Sequence, residues 1–240
     1  AYCGDFDLIG TRRAQSYYRE TVFGQADKPY IVSQDPSYYG KKPAFTPWSF
    51  YDHIPSWNWK GQEGKPVALQ VYSDAESVEV LVNGSSLGIK PAGKECGYIT
   101  EYETVYTPGT LTVRAYRDGK AVGENNLSSG GAGTIVLQAD RDVLHADDKD
   151  LAFVTILHGD QDGIVIPNDD IQVKVTVEGA GSLLGLGSAR PWGEENVYDG
   201  ECTTFLGRAM AVVRPEGTGK ITVSVYSQQY GVRRIELKAR

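Results

Sequence analysis

The chain has 240 residues, among them 28 glycines, 15 tyrosines and one methionine, a composition that favours a turn-rich β protein over a helical bundle. Its formal net charge of −7 argues against a nucleic-acid partner, because phosphate binding needs concentrated Lys and Arg. No apolar run approaches the ~20 residues needed to cross a bilayer, so no membrane span is expected.

The first segment, residues 1 to 30, differs from the rest. "FDLIG" reads as a strand or strand end closed by Gly10, and "TRRAQSYYRETVFG" as a helix with Thr11 as N-cap and Gly24 as stop. Ala14, Tyr17, Tyr18, Val22 and Phe23 fall at near-helical spacing. A strand end followed by a helix is one βα unit, and it needs a larger sheet or barrel to cover both faces. No such sheet follows in this sequence.

Residues 31 to 65 carry many aromatics and prolines without a sustained period. They read as an interdomain connection that packs onto a neighbouring surface, since Trp48, Phe50, Tyr51, Trp57 and Trp59 are costly to leave in water. From 66 to 130 the period becomes two. "VALQVYS" and "SVEVLVNGSSLGIK" alternate, Asn83-Gly84 marks a hairpin, and Pro108-Gly109 and Asp118-Gly119 punctuate further strands. Six or seven short strands there predict an immunoglobulin-like sandwich. "SSGGAG" at 128–133 reads as a boundary. A second C-terminal sandwich is expected over 131 to 240, from "TIVLQAD", "LAFVTILHGD", "IQVKVTVEG", "GSLLGLG", "RAMAVVRP", "KITVSVYS" and "VRRIELKA". The fold class is therefore all-β.

Little in the chain points to chemistry of its own. There are three histidines, no GxSxG elbow and no P-loop lysine. Cys3, Cys96 and Cys202 form no CxxC pair; one disulfide with a spare thiol stays open, and three buried free thiols is the simpler reading. The acidic run "DRDVLHADDKD", with Asp160 and Asp162, has oxygen ligands that suit Ca²⁺ but lacks the EF-hand glycine and closing glutamate, so no metal is expected. No cofactor motif is present. Trp57 and Trp59 in "PSWNWKG" are candidate sugar platforms or interdomain contacts, the second being preferred, and Trp192 in "ARPWGEEN" is an exposed-loop candidate.

"CGDFDLIGTRRAQSYYRE" resembles the closing segment of the catalytic barrel of glycoside hydrolase family 2, the β-galactosidase family. "IPSWNWKGQEGKPVALQVYSDAESVEVLVNGSSLGIK" resembles that family more closely still. "ADDKDLAFVTI", "DGIVIPNDD", "GAGSLLGLGSARP" and "FLGRAMAVVRPEGTGKITVSV" are similar to its distal C-terminal sandwich. Two departures stand out: Ser56 where relatives commonly have His, and "SARP" where many have Asn-Gly.

The resemblance implies that the orphan βα unit is the last piece of a (β/α)₈ barrel, whose active site lies at the C-terminal strand ends. It implies that Tyr2 and Asp5 lie near the sugar site of the intact enzyme. It also implies that both catalytic glutamates of a retaining mechanism lie on earlier strands, leaving these residues inactive alone. The expected function is that of a C-terminal accessory portion of a β-galactosidase-like enzyme acting on terminal β-glycosidic bonds in oligosaccharides. Substrate would bind through the missing barrel, homo-oligomer contacts are open, and a periplasmic or secreted location is favoured over a cytoplasmic one. The competing reading is a free-standing carbohydrate-binding or adhesin-like array of sandwiches.

Overall fold

The Asp7 carboxylate organises the start of the chain. Its Oδ1 accepts from the backbone N–H of Ile9 (3.1 Å) and Thr11 (2.8 Å), and Gly10 takes a positive φ of 81°. This side-chain-capped turn brings Phe6 opposite Arg12 in a single bridge. "FDLIG" is therefore a turn and not the expected strand end, because Asp7 offers its backbone a local partner. These and all following details come from a computed structural model, which describes residues 3–42, 48–147 and 149–240.

Helix α1 (Ala14–Val22) follows. Its N-cap is Arg13, not Thr11, and no side chain caps it. The C-terminus is better built: Gly24 N–H donates to Thr21 O (3.0 Å) and Gln25 N–H to Glu20 O (2.9 Å), with Gly24 at φ 66°. That pair of bonds is a Schellman motif, and its αL position is why a glycine ends this helix. Tyr17 and Tyr18 pack on a cluster of Ala14, Tyr30, Val32 and Tyr72. In this first segment Phe6, Leu8, Val22 and Phe23 are left in water.

The chain forms two compact units, residues 1–129 and 130–240. The first contains β1 (Tyr30–Ser33), β2 (Pro66–Tyr72), β3 (Ser77–Val82), β4 (Ser85–Pro91), β5 (Ile99–Val105), β6 (Thr110–Arg117) and β7 (Lys120–Ser128). One sheet has the order β1-β2-β5 and the other β4-β3-β6-β7, all antiparallel. Asn83-Gly84 (φ 51° and 81°) and Asp118-Gly119 (φ 49° and 70°) make the two-residue turns with positive φ at both positions that suit twisted hairpins. Between the sheets lies a core of Val67, Leu69, Val71, Val78, Val80 and neighbours, and Tyr102 OH on β5 donates to Val78 O on β3 at 2.7 Å.

The segment read as an interdomain connection belongs to this sandwich. It supplies β1, and it supplies Trp57 and Trp59, which are 0% and 2% exposed in the sandwich core. Trp57 Nε1 donates to Thr107 O (3.1 Å), and its ring meets that of Tyr106 edge-on at 4.9 Å.

The second unit contains β8 (Thr134–Ala139), β9 (Val143–Leu144), β10 (Ala152–Gly159), β11 (Gln172–Gly179), β12 (Gly181–Gly187), β13 (Glu201–Thr203), β14 (Arg208–Pro215), β15 (Gly219–Ser227) and β16 (Gly231–Ala239). Its sheets run β12-β14-β10-β8 and β13-β11-β15-β16-β9. The alternation along β14 sends Ala209, Ala211 and Val213 inward against Val154, Ile156, Val175, Val223 and Leu237. β9 is parallel to β16 and pairs with Lys238 and Ala239. Among the described residues the fold is all-β apart from α1 and short single turns: two β-sandwiches, as the alternation predicts.

Candidate functional site

The sequence-predicted site residues are not brought together. Tyr2 lies outside the described residues. Asp5 forms an ion pair with Arg19 on α1, and its backbone carbonyl accepts from Arg13 N–H at 2.9 Å. Trp57 and Trp59 are core residues with no ring face open to a sugar, so neither reading of them as a surface contact stands. They pack in the core cluster with Ile31 of β1, Val67 and Leu69, and Trp59 Nε1 is satisfied by Ser33 Oγ at 2.8 Å.

The glutamates serve as local braces. Glu79 accepts from Ser86 Oγ and from Tyr116 OH, both at 2.6 Å, and these bonds hold its carboxyl below the usual range. Glu76 accepts from Asp118 N–H (2.9 Å), Glu101 from Gln70 Nε2 (3.2 Å) and Glu103 from Tyr39 OH (3.0 Å). Glu195 accepts from Thr203 N–H (2.9 Å).

The acidic run is likewise engaged by its own backbone. Asp140 accepts from Phe153 N–H, Asp147 from Lys149 and Asp150 N–H, and Asp150 from His145 N–H, while Arg141 bridges Asp140 and Asp150. Among the described residues no grouping of His, Cys, Asp and Glu could hold a metal ion, and no helix is long and apolar enough to cross a membrane. Asp160 is nearly inaccessible. Burial alone would raise its carboxyl, but N–H groups of Gly131 (2.8 Å), Ile164 (2.9 Å) and Asp162 (3.0 Å) outweigh that and hold it low.

The cysteines are all free thiols. Cys202 is buried, which pushes its thiol up to about 12. Cys3 and Cys96 are partly accessible, against the expectation of three buried thiols, because Cys3 lies in irregular chain and Cys96 ends a short 3-10 helix (Lys94–Cys96), neither on a core-facing strand position.

Two surface features remain. In the first unit an open cleft of about 570 Å³ is lined by Tyr51, Lys90, Cys96, Ile99, Thr100 and Glu101. Its ammonium group is already used: Lys90 Nζ donates to Glu101 O at 2.8 Å and lies 4.4 Å from the Tyr102 ring centre. In the second unit the loop between β12 and β13 displays Trp192, 65% exposed, and Tyr198, 78% exposed. Trp192 meets the edge of Phe205 at 5.7 Å, and the Arg190 guanidinium lies 5.9 Å from the Phe205 ring centre. Arg190 is anchored by Asp170 Oδ2 and Thr204 O, each at 3.2 Å. The sequence singled out Trp192, but the Phe205–Arg190–Asp170 support beneath it joins residues too far apart in the chain for spacing to show.

Comparison with known proteins matches both units. Residues 135–236 match Glycoside hydrolase family 2 C-terminal domain 5, and residues 64–123 match a domain of unknown function, DUF4982. The chain is 32% identical over 237 residues to the β-galactosidase BoGH2A of Bacteroides ovatus, covering 97% of this chain and 27% of that protein. The crystal structure of a glycosyl hydrolase family 2 member from Bacteroides cellulosilyticus superposes with a TM-score of 0.87 at 34% identity, over 99% of this chain and 32% of that one. A β-glycosidase from Bacteroides vulgatus shares the fold at 21% identity, with a TM-score of 0.77 over 98% of this chain and 28% of that one. The chain thus spans about a quarter to a third of the length of these relatives. Residues 135–236 carry the Glycoside hydrolase family 2 C-terminal domain 5, and the chain along nearly its whole length is similar to part of these family 2 relatives.

Proposed function

We propose that this chain is the accessory portion of a retaining β-glycosidase of the β-galactosidase type, which hydrolyses terminal β-glycosidic bonds in oligosaccharides. The observation that carries the reading is one continuous match over 97% of the chain onto a β-galactosidase of which it covers only 27%. Double displacement requires two carboxyl groups about 5–5.5 Å apart across the scissile bond. In this reading both belong to barrel strands outside these 240 residues, and the chain alone is inactive. The hydrogen bonds that occupy Glu76, Glu79, Glu101, Glu103 and Glu195 support that division of labour. The exposed side chains of Leu8 and Phe23 support a barrel partner for the first turn and α1. The sandwiches then brace the barrel, shape the rim of its site or set oligomer contacts.

The test has two arms. An antibody raised against this region should detect a native polypeptide several-fold heavier than 26.2 kDa. That polypeptide should hydrolyse a nitrophenyl β-galactoside, whereas the isolated 240 residues should not. A native species near 26.2 kDa, or turnover by the isolated chain, overturns the reading.

A further inference from the structure

We propose that the β12–β13 loop of the second unit is a binding platform for neutral hexopyranose oligosaccharides, with Trp192 as the principal stacking ring and Tyr198 as a second one. This goes beyond the proposed activity, which belongs to chain outside these residues. The platform is a property of the residues in hand.

The first argument is the cost of the display. An indole and a phenol held in water forgo the burial that stabilises aromatic side chains elsewhere in this chain. Such rings would be expected to collapse onto the sandwich unless the loop holds them out, and it does. Leu186 N–H donates to Val197 O (2.8 Å), Thr203 N–H to the Glu195 carboxylate (2.9 Å), and Asn196 Nδ2 to Asp199 Oδ1 (2.9 Å). Tyr198 N–H donates to Asn196 Oδ1 at 3.2 Å, which fixes the backbone that carries the phenol. Each bond removes freedom that a ligand would otherwise have to freeze.

The second argument is the buttress. Trp192 stands edge-on to Phe205, interplanar angle 83°, so contact with the protein is made through a T-shaped pairing. Behind Phe205 lies Arg190, locked by Asp170 and Thr204. Exposed at 65%, Trp192 is anchored without being covered.

The third argument concerns ligand class. The C–H faces of a pyranose ring stack on aromatic rings as apolar surface, while its hydroxyls need hydrogen-bond partners at the rim. Glu194 is exposed between Trp192 and Tyr198 in the sequence of the loop, and Asp199 follows Tyr198. The one arginine of the loop is already paired to Asp170. This acidic surround accepts sugar hydroxyls and repels uronate or sulfate groups. A protein partner fits less well, because Gly193, Glu194, Glu195 and Asn196 separate the aromatic residues with polar chain, whereas protein interfaces deplete charge at their core.

The test is calorimetric titration of the 240-residue chain with cellohexaose and with β-1,4-galactotetraose, using trigalacturonate as the acidic control. Saturable binding of at least one neutral oligosaccharide is expected, with weaker or no binding of trigalacturonate. Trp192→Ala should weaken that binding roughly tenfold, Tyr198→Ala by a smaller factor, and Trp192→Phe should retain most of it. Because Trp192 is mostly exposed, its variants should keep the wild-type melting temperature, so lost binding reports the platform and not the fold. The proposal is overturned if neither neutral oligosaccharide binds at millimolar concentration, if Trp192→Ala binds as wild type, or if trigalacturonate binds equally well. It is also overturned if Trp192→Ala changes the sedimentation coefficient while sugar binding is unchanged, which would assign the loop to a protein contact.

Discussion

Trp59 Nε1 donates to Ser33 Oγ at 2.8 Å in the core of the first sandwich, and the same hydroxyl donates onward to Ser56 O. One serine thereby joins β1 to the segment that carries both core tryptophans. Ser33→Ala should leave the buried indole N–H unpaired and cost about 1–3 kcal/mol. Trp59→Phe removes the donor and leaves a partly filled space. The double variant should cost less than the sum of the two, since each single change already breaks the shared bond. Denaturant unfolding of the four proteins measures this; strict additivity would mean that the bond contributes nothing.

Gly24 ends α1 at φ 66°, and nothing lies within 4 Å of where a Cβ would sit. Gly24→Ala should therefore be destabilising through conformation alone, by about 1–2 kcal/mol. Gly24→Asn should recover part of that loss, because Asn tolerates the left-handed region. Thermal unfolding of both variants checks the order.

Asp160 should make the second unit acid-sensitive. Its carboxyl is held below the ordinary value by three N–H donors, so its stabilising contribution is present above the unfolded-state value near ~3.9. That contribution is lost as pH falls through the lower folded-state value. Asp160→Ala should cost about 2 kcal/mol at neutral pH and less near pH 2. A pH series of unfolding midpoints for the wild type and the variant should converge at acid pH.

The cysteines separate by access. Cys3 and Cys96 should react with a thiol reagent in the native protein, while Cys202, buried with its thiol pushed up to about 12, should not. Native protein should titrate two thiols and denatured protein three. A third native thiol would mean that β13 opens locally.

The strands legible in the sequence were those with one wet face, such as β14, where inward and outward residues alternate over eight positions. β1 was not legible: all four of its residues are buried, so no period of two survives, and its partner β2 starts more than thirty residues later. β9 and β13 are too short to carry a period. Helix α1 was visible from spacing, but what covers its tyrosines was not: Tyr17 packs on Tyr30 and Tyr18 on Tyr72, which come from strands of the sandwich. Trp192 could be picked out as a loop tryptophan. What holds it could not, since Phe205 and Asp170 reach it only through the folded sandwich.

The parallel pairing of β9 with β16 has a consequence for synthesis. Arg240 N–H donates to Leu144 O, and Ala146 N–H to Arg240 O, so the end of β16 clasps a segment translated near the start of its unit. The first sandwich ends on a local hairpin, β6 with β7, and can close while the ribosome is still working. The second cannot seat β9 until β16 has emerged, and until then the inner side chain Leu144 waits without its strand partner. A nascent chain stalled a few codons short of Arg240 should carry a finished first unit and a protease-sensitive second one.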